Sequence, residues 1–410
     1  MSTYIPRKDY LEWLSEFKDK KLIKVLTGLR RSGKSTIMTM FAESLVAQGV
    51  PLNRILTINF EEFENEAYLD PHALHNRIIE SVVPGERLYV FLDEVQHVNE
   101  YERVLDSLYV KPDIDLYVTG STADLLSSEI ASRLTGRYVE INVLPLSFAE
   151  SLYGRQMKEG GERRAFMEYL TFGGLPGARE FENGSSAQRE YVESVFKTIL
   201  EKDVLKRAKK GRFLVERIIR YMADNIGHLT SPKRLTDRLG EESKTHEEKA
   251  AAYNTVVSYL ERLTDCFFLY KPDRFDVVGG ELLQLVHKYY LTDFGFQHYL
   301  LGNIRLELQQ LIENVVYFEL IRRRYQVATG KVDDKEVDFR VKDRNGGIAY
   351  IQVAVTVSSP EKLAQELGPF KLIKDNYPKY ILTLDEIFTP DHAGVKTLGL
   401  IDFLLGRSAI

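Results

Sequence analysis

Between positions 28 and 35 the chain reads Gly28-Leu29-Arg30-Arg31-Ser32-Gly33-Lys34-Ser35, followed by Thr36, which fits the spacing G-x-x-x-x-G-K-[ST]. Two glycines let the backbone curl until successive N–H groups face phosphate oxygens. A helix opening just behind them adds the positive end of its dipole, so the segment from Gly28 to Thr36 is expected to hold a nucleotide. Lys34 would reach the β- and γ-phosphates, and the Ser35 hydroxyl would ligate Mg²⁺. About sixty residues on, an apolar run ends in Asp93-Glu94, where a buried strand would deliver two carboxylates at its carboxyl end. We assign Asp93 to Mg²⁺ and Glu94 to polarising an attacking water. A further run, DLYVTGST, puts Thr119 or Ser121 at another strand end. We assign Thr119 to sensing the γ-phosphate, against the alternative of a hydroxyl satisfied within its own turn. Arg133 and Arg137 sit just before the next run, and Arg137 is taken as the arginine finger.

Such residues need a sheet to hold them. Residues 22–27, 54–60, 88–92, 115–119 and 138–143 are short apolar runs separated by helical patterns such as 35–47 and 101–110. Alternation of this kind predicts a parallel α/β sheet over residues 1–150, and near-continuous Val, Ile, Leu and Phe predicts strands buried on both faces. A helical lid and connector is expected over 151–210, broken by the turn Gly173-Gly174-Leu175-Pro176. Residues 211–300 read as three helices and then strands, the order of a winged helix-turn-helix. Residues 301–410 open on a long helix and continue strand, strand, strand, helix, strand.

Composition narrows the class further. The 410 residues are 44% hydrophobic and 28% charged, with a net charge of −5 and a single cysteine, Cys266. One cysteine makes neither an intrachain disulfide nor a cysteine-rich zinc site, so a reducing cytoplasm is expected. No apolar leader opens the chain and no stretch of about 18 apolar residues interrupts it, so no membrane partner is expected.

Two regions bear on nucleic acid. Residues 206–265 carry 13 Lys and Arg against 9 Asp and Glu in an otherwise acidic chain. Lys206, Arg207, Lys209, Lys210 and Arg212 cluster, and Lys233, Arg234 and Arg238 follow on a short helix, charges that a winged helix can turn towards DNA phosphates. A solvated helix face on an internal lever is the alternative. In the last region, Glu313 on a helix, Glu336 and Asp338 at a strand start, and a second strand at Gln352-Val353-Ala354 follow the layout of restriction-type nucleases. That second strand should offer a metal-binding acid and a lysine. Gln352 and Ala354 stand there instead, so this degenerate site is expected to be inactive unless a lysine from elsewhere, such as Lys362 or Lys371, reaches in.

The loop, FLDEVQHV, YVTGST, Gly136-Arg137, PLSFAE and GGLP, with LEKDVLKR, KYYLTDFG, IENVVYFEL and KEVDFRV downstream, resemble the AAA+-type ATPases known as archaeal or prokaryotic P-loop ATPases. The resemblance covers nearly the whole chain. It implies an AAA+-like nucleotide domain, a winged helix and a C-terminal domain of the PD-(D/E)XK nuclease-like fold. It also implies that Ile5 and Arg7 in the N-terminal segment, and Pro176 in the Gly174–Pro176 turn, border the adenine. An ATPase whose nucleotide state repositions the downstream domains is the leading expectation. A slow nucleotide switch or DNA-binding regulator is the second, and a metal-dependent nuclease the third. The sequence leaves the oligomeric state open.

Overall fold

The computed structural model describes residues 4–120, 136–156, 160–205, 211–243, 252–283, 286–302 and 307–410. They form two compact units, Met1–Pro145 with Asp265–Phe267, and Leu146–Thr264 with Phe268–Ile410.

In the first unit, β1 (Ile23–Thr27), β2 (Ile55–Asn59), β3 (Leu88–Asp93), β4 (Ile114–Thr119) and β5 (Tyr138–Asn142) make one parallel sheet in the order β2-β3-β4-β1-β5. Each strand lies within a residue or two of the apolar run that predicts it. The helices α1 (Lys8–Phe17), α2 (Lys34–Ala47), α3 (Pro71–Glu80) and α4 (Tyr101–Tyr109) cover both faces. Leu14 of α1 and Ile37, Met38 and Phe41 of α2 pack on one face, and Leu74 and Ile78 of α3 with Val104, Leu105 and Leu108 of α4 pack on the other. The Phe91 and Tyr117 rings stack at 4.7 Å, and Phe41 lies 5.3 Å from Tyr117. Each such pair adds about 1 kcal/mol to simple burial and fixes α2, whose first turn is the end of the glycine loop, against β3 and β4. β4 therefore lies between the two strands that end in the loop and in Asp93.

In the second unit, the helices α5 (Gly161–Phe172), α6 (Ser186–Ile199), α7 (Arg212–Asp224), α8 (Pro232–Ser243) and α9 (Tyr253–Asp265) precede the short strands β6 (Leu269–Tyr270), β7 (Asp273–Asp276), β8 (Glu281–Leu283) and β9 (Tyr290–Leu291). Then come α10 (Phe294–Leu301), α11 (Leu308–Arg322), β10 (Gln326–Val332), β11 (Lys335–Lys342), β12 (Ile348–Ala354), α12 (Pro360–Phe370), β13 (Lys379–Thr383), β14 (Asp391–His392) and β15 (Val395–Gly399). Eight strands form one mixed sheet, β14-β15-β13-β12-β11-β10-β7-β8.

That sheet crosses the boundary expected at residue 300. The hairpin β7–β8 is not a free wing: β7 pairs in parallel with β10, Asp273 opposite Ala328 and Asp276 opposite Lys331. The connector expected over 151–210 is likewise part of the second unit, where Arg163 donates to the Leu384 carbonyl and Arg407 pairs with Glu162. A hydrogen-bonded ladder and these long-range pairs join what local pattern separates. Among the described residues no helix is long and apolar enough to cross a membrane.

Candidate functional site

The loop leaves β1 with Gly28 at φ +133°, passes Arg31 at φ +68° and reaches Gly33 at φ +101°, the residue before α2. A side chain at Gly28 would put its Cβ 2.3 Å from the Val143 carbonyl oxygen, so the loop begins in direct contact with the end of β5. Lys34 is 4% exposed, and its ammonium donates to the carbonyls of Gly28 at 2.9 Å and Leu29 at 3.2 Å. Leu29 and Ser32 are buried, Arg30 faces Glu61 at 3.6 Å, and Ser35 is exposed at the start of α2, with Thr36 half-buried behind it. The Ser32 hydroxyl is buried without a hydrogen-bond partner.

At the end of β3, the Asp93 carboxylate is 6% exposed and accepts from the hydroxyls of Thr119 and Ser35. Burial pushes this carboxyl above its ordinary pKa, against the pull of the two hydroxyls and of Lys34. Thr119 also accepts the Glu94 N–H at 2.8 Å. Glu94 itself stands in the left-handed region, φ +55° and ψ +49°, with its carboxylate hydrogen-bonded by the Gln96 amide. Ser35, Asp93, Glu94 and Thr119 are thus linked side chain to side chain and backbone across β3, β4 and α2.

The remaining predicted residues have other partners. Arg7 is buried, stacks on Tyr10 at 4.7 Å, and donates to the carbonyls of Ser32 at 3.1 Å and Leu144 at 2.7 Å. It is a strut under the loop, a role that nothing in its sequence neighbourhood signals. Ile5 lies half-buried in the segment before α1. Arg137 pairs with Asp106 and stacks on Tyr109 at 5.4 Å. Its carbonyl accepts from Ile23 at the start of β1, whereas the loop follows the end of that strand. It therefore stands about 15 Å, the length of a five-residue strand, from the phosphate loop of its own chain. The sequence leaves open whether Arg137 would act on its own chain or on a neighbouring one, and this placement sets it apart from its own chain's loop. Ser121 and Arg133 lie outside the described residues.

Pro176 belongs to the second unit, where it opens the turn Pro176–Glu180. The preceding glycines are fixed by Asp293, a fully buried carboxyl that accepts from the N–H groups of Gly174 at 2.6 Å and Gly295 at 2.8 Å. Burial pushes Asp293 up to about 7, against the pull of the Gly174, Gly295 and Leu175 N–H groups.

The second unit also holds the carboxylates expected from the nuclease-like layout. Glu313 on α11 and Glu336 and Asp338 on β11 come together, and the lysine whose ammonium meets them is Lys288, neither Lys362 nor Lys371. Gln352 accepts the Asp338 N–H at 3.2 Å and hydrogen-bonds Glu366, while Ala354 is buried. Among the described residues no group of three or more His, Cys, Asp or Glu side chains is arranged to hold a metal ion. Elsewhere in the unit, α7 and α8 line a cleft of about 800 Å³ with Arg217, Arg220, Lys233, Arg234 and Arg238, alongside Asp224, Asp237 and Glu241. Lys206, Arg207, Lys209 and Lys210 lie outside the described residues.

A five-stranded parallel sheet in this order, with a glycine loop after one strand and an Asp-Glu pair at the end of another, is the arrangement of an AAA-type P-loop domain. The model of the AAA domain family matches residues 20–152, and that of a domain of unknown function (DUF8612) matches residues 163–307. The chain belongs to one family with an uncharacterised protein of Haemophilus influenzae, to which it is 33% identical over 98% of both chains. An uncharacterised protein of Methanocaldococcus jannaschii is 25% identical over 86% of this chain and 79% of its own. The Walker-type ATPase of Pyrococcus abyssi has a similar fold, with a TM-score of 0.51 and 16% identity over 72% of this chain and 96% of its own.

Proposed function

We propose that the chain hydrolyses ATP with Mg²⁺ at the loop from Gly28 to Ser35, and that the nucleotide state drives a rearrangement in the second unit. The observation that carries this reading is the link Ser35–Asp93–Thr119–Glu94. It sets two oxygen ligands suited to a hard cation beside a carboxylate able to take a proton. The residues fit the nucleotide as well. Lys34 holds two loop carbonyls that it can exchange for β- and γ-phosphate oxygens, and the buried Ser32 hydroxyl lacks a partner in the loop.

Ser35 and Asp93 would hold Mg²⁺, which as a Lewis acid neutralises charge on the phosphate oxygens. Asp93 must be ionised for this, so the upward push of burial makes its metal affinity depend on pH. Glu94 accepts a proton from water as the water oxygen bonds to the γ-phosphorus in line. The bond from that phosphorus to the β–γ bridging oxygen breaks, and ADP and inorganic phosphate leave. Thr119, bonded to Asp93 and to the Glu94 backbone, keeps the two carboxylates in register and reports the γ-phosphate. The test is steady-state phosphate release by the wild type and Glu94→Gln with Mg²⁺ present or chelated. Turnover by Glu94→Gln at the wild-type rate would overturn the assignment.

A second reading, a DNA-binding switch with little turnover, draws on the cleft between α7 and α8. Lys233, Arg234 and Arg238 are exposed there, while Arg217 and Arg220 hold the carbonyls of Leu239 and Leu300. Turnover measured with and without duplex and single-stranded DNA separates the two readings.

A further inference from the structure

Three carboxylates from two elements converge on one amine inside the second unit. The Lys288 Nζ lies 2.9 Å from Glu313 Oε1, 3.6 Å from Glu336 Oε2 and 3.7 Å from Asp338 Oδ1. Lys288 is 5% exposed, and Glu313 and Asp338 are equally enclosed. Each carboxylate has a second partner, which for Asp338 and Glu336 meets the oxygen turned away from Lys288 and for Glu313 shares the oxygen that Lys288 contacts. Tyr290 donates its hydroxyl to Glu313 at 2.6 Å, Val353 donates its N–H to Asp338 at 2.8 Å, and Arg274 meets Glu336 at 3.3 Å. An ammonium carries three donors, and here three acids surround it.

We propose that the Lys288 ammonium is the resident cation of this carboxylate cluster, filling the space in which the three acids would otherwise gather a divalent metal ion. The consequence is a centre closed to metal in the wild-type protein that becomes a metal site when the amine is removed. This inference stands apart from the nucleotide reading and uses none of its residues.

Charge requires a cation at this point. Glu313 and Asp338 are buried carboxylates that would destabilise the fold if they faced one another without compensation, and Glu336 joins them from a position 35% exposed. Burial alone would lower the Lys288 pKa, yet Glu313, Asp338 and Glu336 together hold it above the ordinary lysine value, so the amine stays charged. Lys288 and Arg274 offset two of the three acids. The third is Asp338, whose carboxyl is pushed up by burial and by Glu313.

Geometry argues for exclusion of metal as well as for charge balance. Ammonium–oxygen contacts are near 2.8 Å, whereas Mg²⁺ takes oxygens at about 2.1 Å. Glu313 stands at that ammonium distance, and Glu336 and Asp338 stand at the longer ion-pair distances of 3.6 and 3.7 Å around the same amine, which agrees with the lack of any metal-ready group among the described residues. The same enclosure argues against Lys288 as a hydrolytic lysine. A residue that is 5% exposed and engaged with Glu313 does not present its amine to the phosphate of a nucleic acid.

The experiment compares the full chain with Lys288→Met and with Lys288→Met/Glu313→Gln. All three carry Asp93→Asn, so that the nucleotide site adds no manganese signal. Melting temperature and Mn²⁺ binding by electron paramagnetic resonance are read with and without millimolar MnCl₂ and no nucleotide. Lys288→Met is expected to melt at least about 5 °C lower, and to recover most of that loss while binding Mn²⁺. The chain with Lys288 intact should show neither effect. The double variant should be more stable than Lys288→Met in the absence of metal, because neutralising Glu313 removes part of the uncompensated charge. Mn²⁺ binding by the chain with Lys288 intact that is lost in Asp338→Asn would overturn the proposal, as would a Lys288→Met protein that melts unchanged. Should Lys288→Met fail to fold even with Mn²⁺, the double variant decides: recovery of soluble, folded protein supports charge compensation, and no recovery overturns it. Mn²⁺-dependent DNA cleavage by the wild type that disappears in Asp338→Ala would also overturn it, and would make Lys288 part of a working nuclease.

Discussion

Glu94 sits at φ +55°, where a residue other than glycine costs about 1 kcal/mol or more. The bond from its N–H to Thr119 helps hold it there, so the position of the carboxylate depends on a neighbouring strand as well as on its own. Glu94→Gln keeps the shape and loses the proton acceptor. Nucleotide affinity by calorimetry should stay within about twofold, while phosphate release falls on the order of a hundredfold. Lys34→Ala removes the ammonium that bridges the two loop carbonyls and should weaken ATP binding by at least about tenfold, or about 1.4 kcal/mol. A change below twofold would separate the loop from nucleotide binding. At this scale the meeting of Ser35, Asp93 and Thr119 beside the glycine loop is legible, because each stands at the end of an apolar run of strand length or just behind the loop that follows one. Arg7 and Lys288 are not. Each acts on residues at least 25 positions away, and the only trace of Lys288 is a charged residue at the mouth of the apolar run YYLTD.

Elements place these residues, and two positions test that placement. Gly28→Ala would drive a Cβ into the Val143 carbonyl while keeping a backbone that alanine rarely adopts. The expected cost is about 2 kcal/mol or more, read as a lower denaturation midpoint, with loss of nucleotide binding because the loop must leave β5. In the second unit, Asp293 joins the start of α10 to the Gly173-Gly174 turn. Its pKa is raised from an ordinary unfolded value near 4 to about 7 in the folded protein. Between those values the folded state binds more protons than the unfolded state, so this group's contribution is full below about pH 4 and is lost as pH rises to 7. Asp293→Asn cannot titrate. The melting temperature of the wild type should therefore fall relative to that of Asp293→Asn as pH rises across this window; parallel curves would refute the prediction. The strands β1, β3 and β4 are legible because strands buried on both faces are nearly all apolar, and the edge strands β2 and β5, only partly buried, still keep enough apolar residues to be read. The partnership of β7 with β10 is not, because strand pairing is set by backbone hydrogen bonds that carry no residue signature at a separation of about 50 positions.

At the scale of the whole molecule, Arg137 is tied to Asp106 at the amino end of its sheet and cannot serve its own phosphate loop. Arg137→Ala should leave turnover of the isolated chain within about twofold, since a half-exposed pair of this kind adds little. Mixing it with Lys34→Ala should give no more activity than the sum of the two; recovered activity would instead place Arg137 in a neighbouring chain's site. If the cleft of α7 and α8 meets DNA, replacing Lys233, Arg234 and Arg238 by alanine should reduce the slope of log affinity against log salt by about 3, near one per lost phosphate contact. An unchanged slope would leave that cleft without a role in DNA binding. The eight-stranded sheet has one more effect, on the birth of the protein. Its strands run from residue 273 to residue 399, and β7 must wait for β10, and β12 for β13, before the ladder closes. The first unit, whose strands all lie within the first 142 residues, can mature while the ribosome is still at work. The second cannot close its sheet until β15 has been made, and the nascent chain carries the open edge of β7 until β10 follows about 50 residues later. Interrupted translation should therefore yield an ATP-binding fragment tethered to a sticky tail, a natural client for chaperones and proteases.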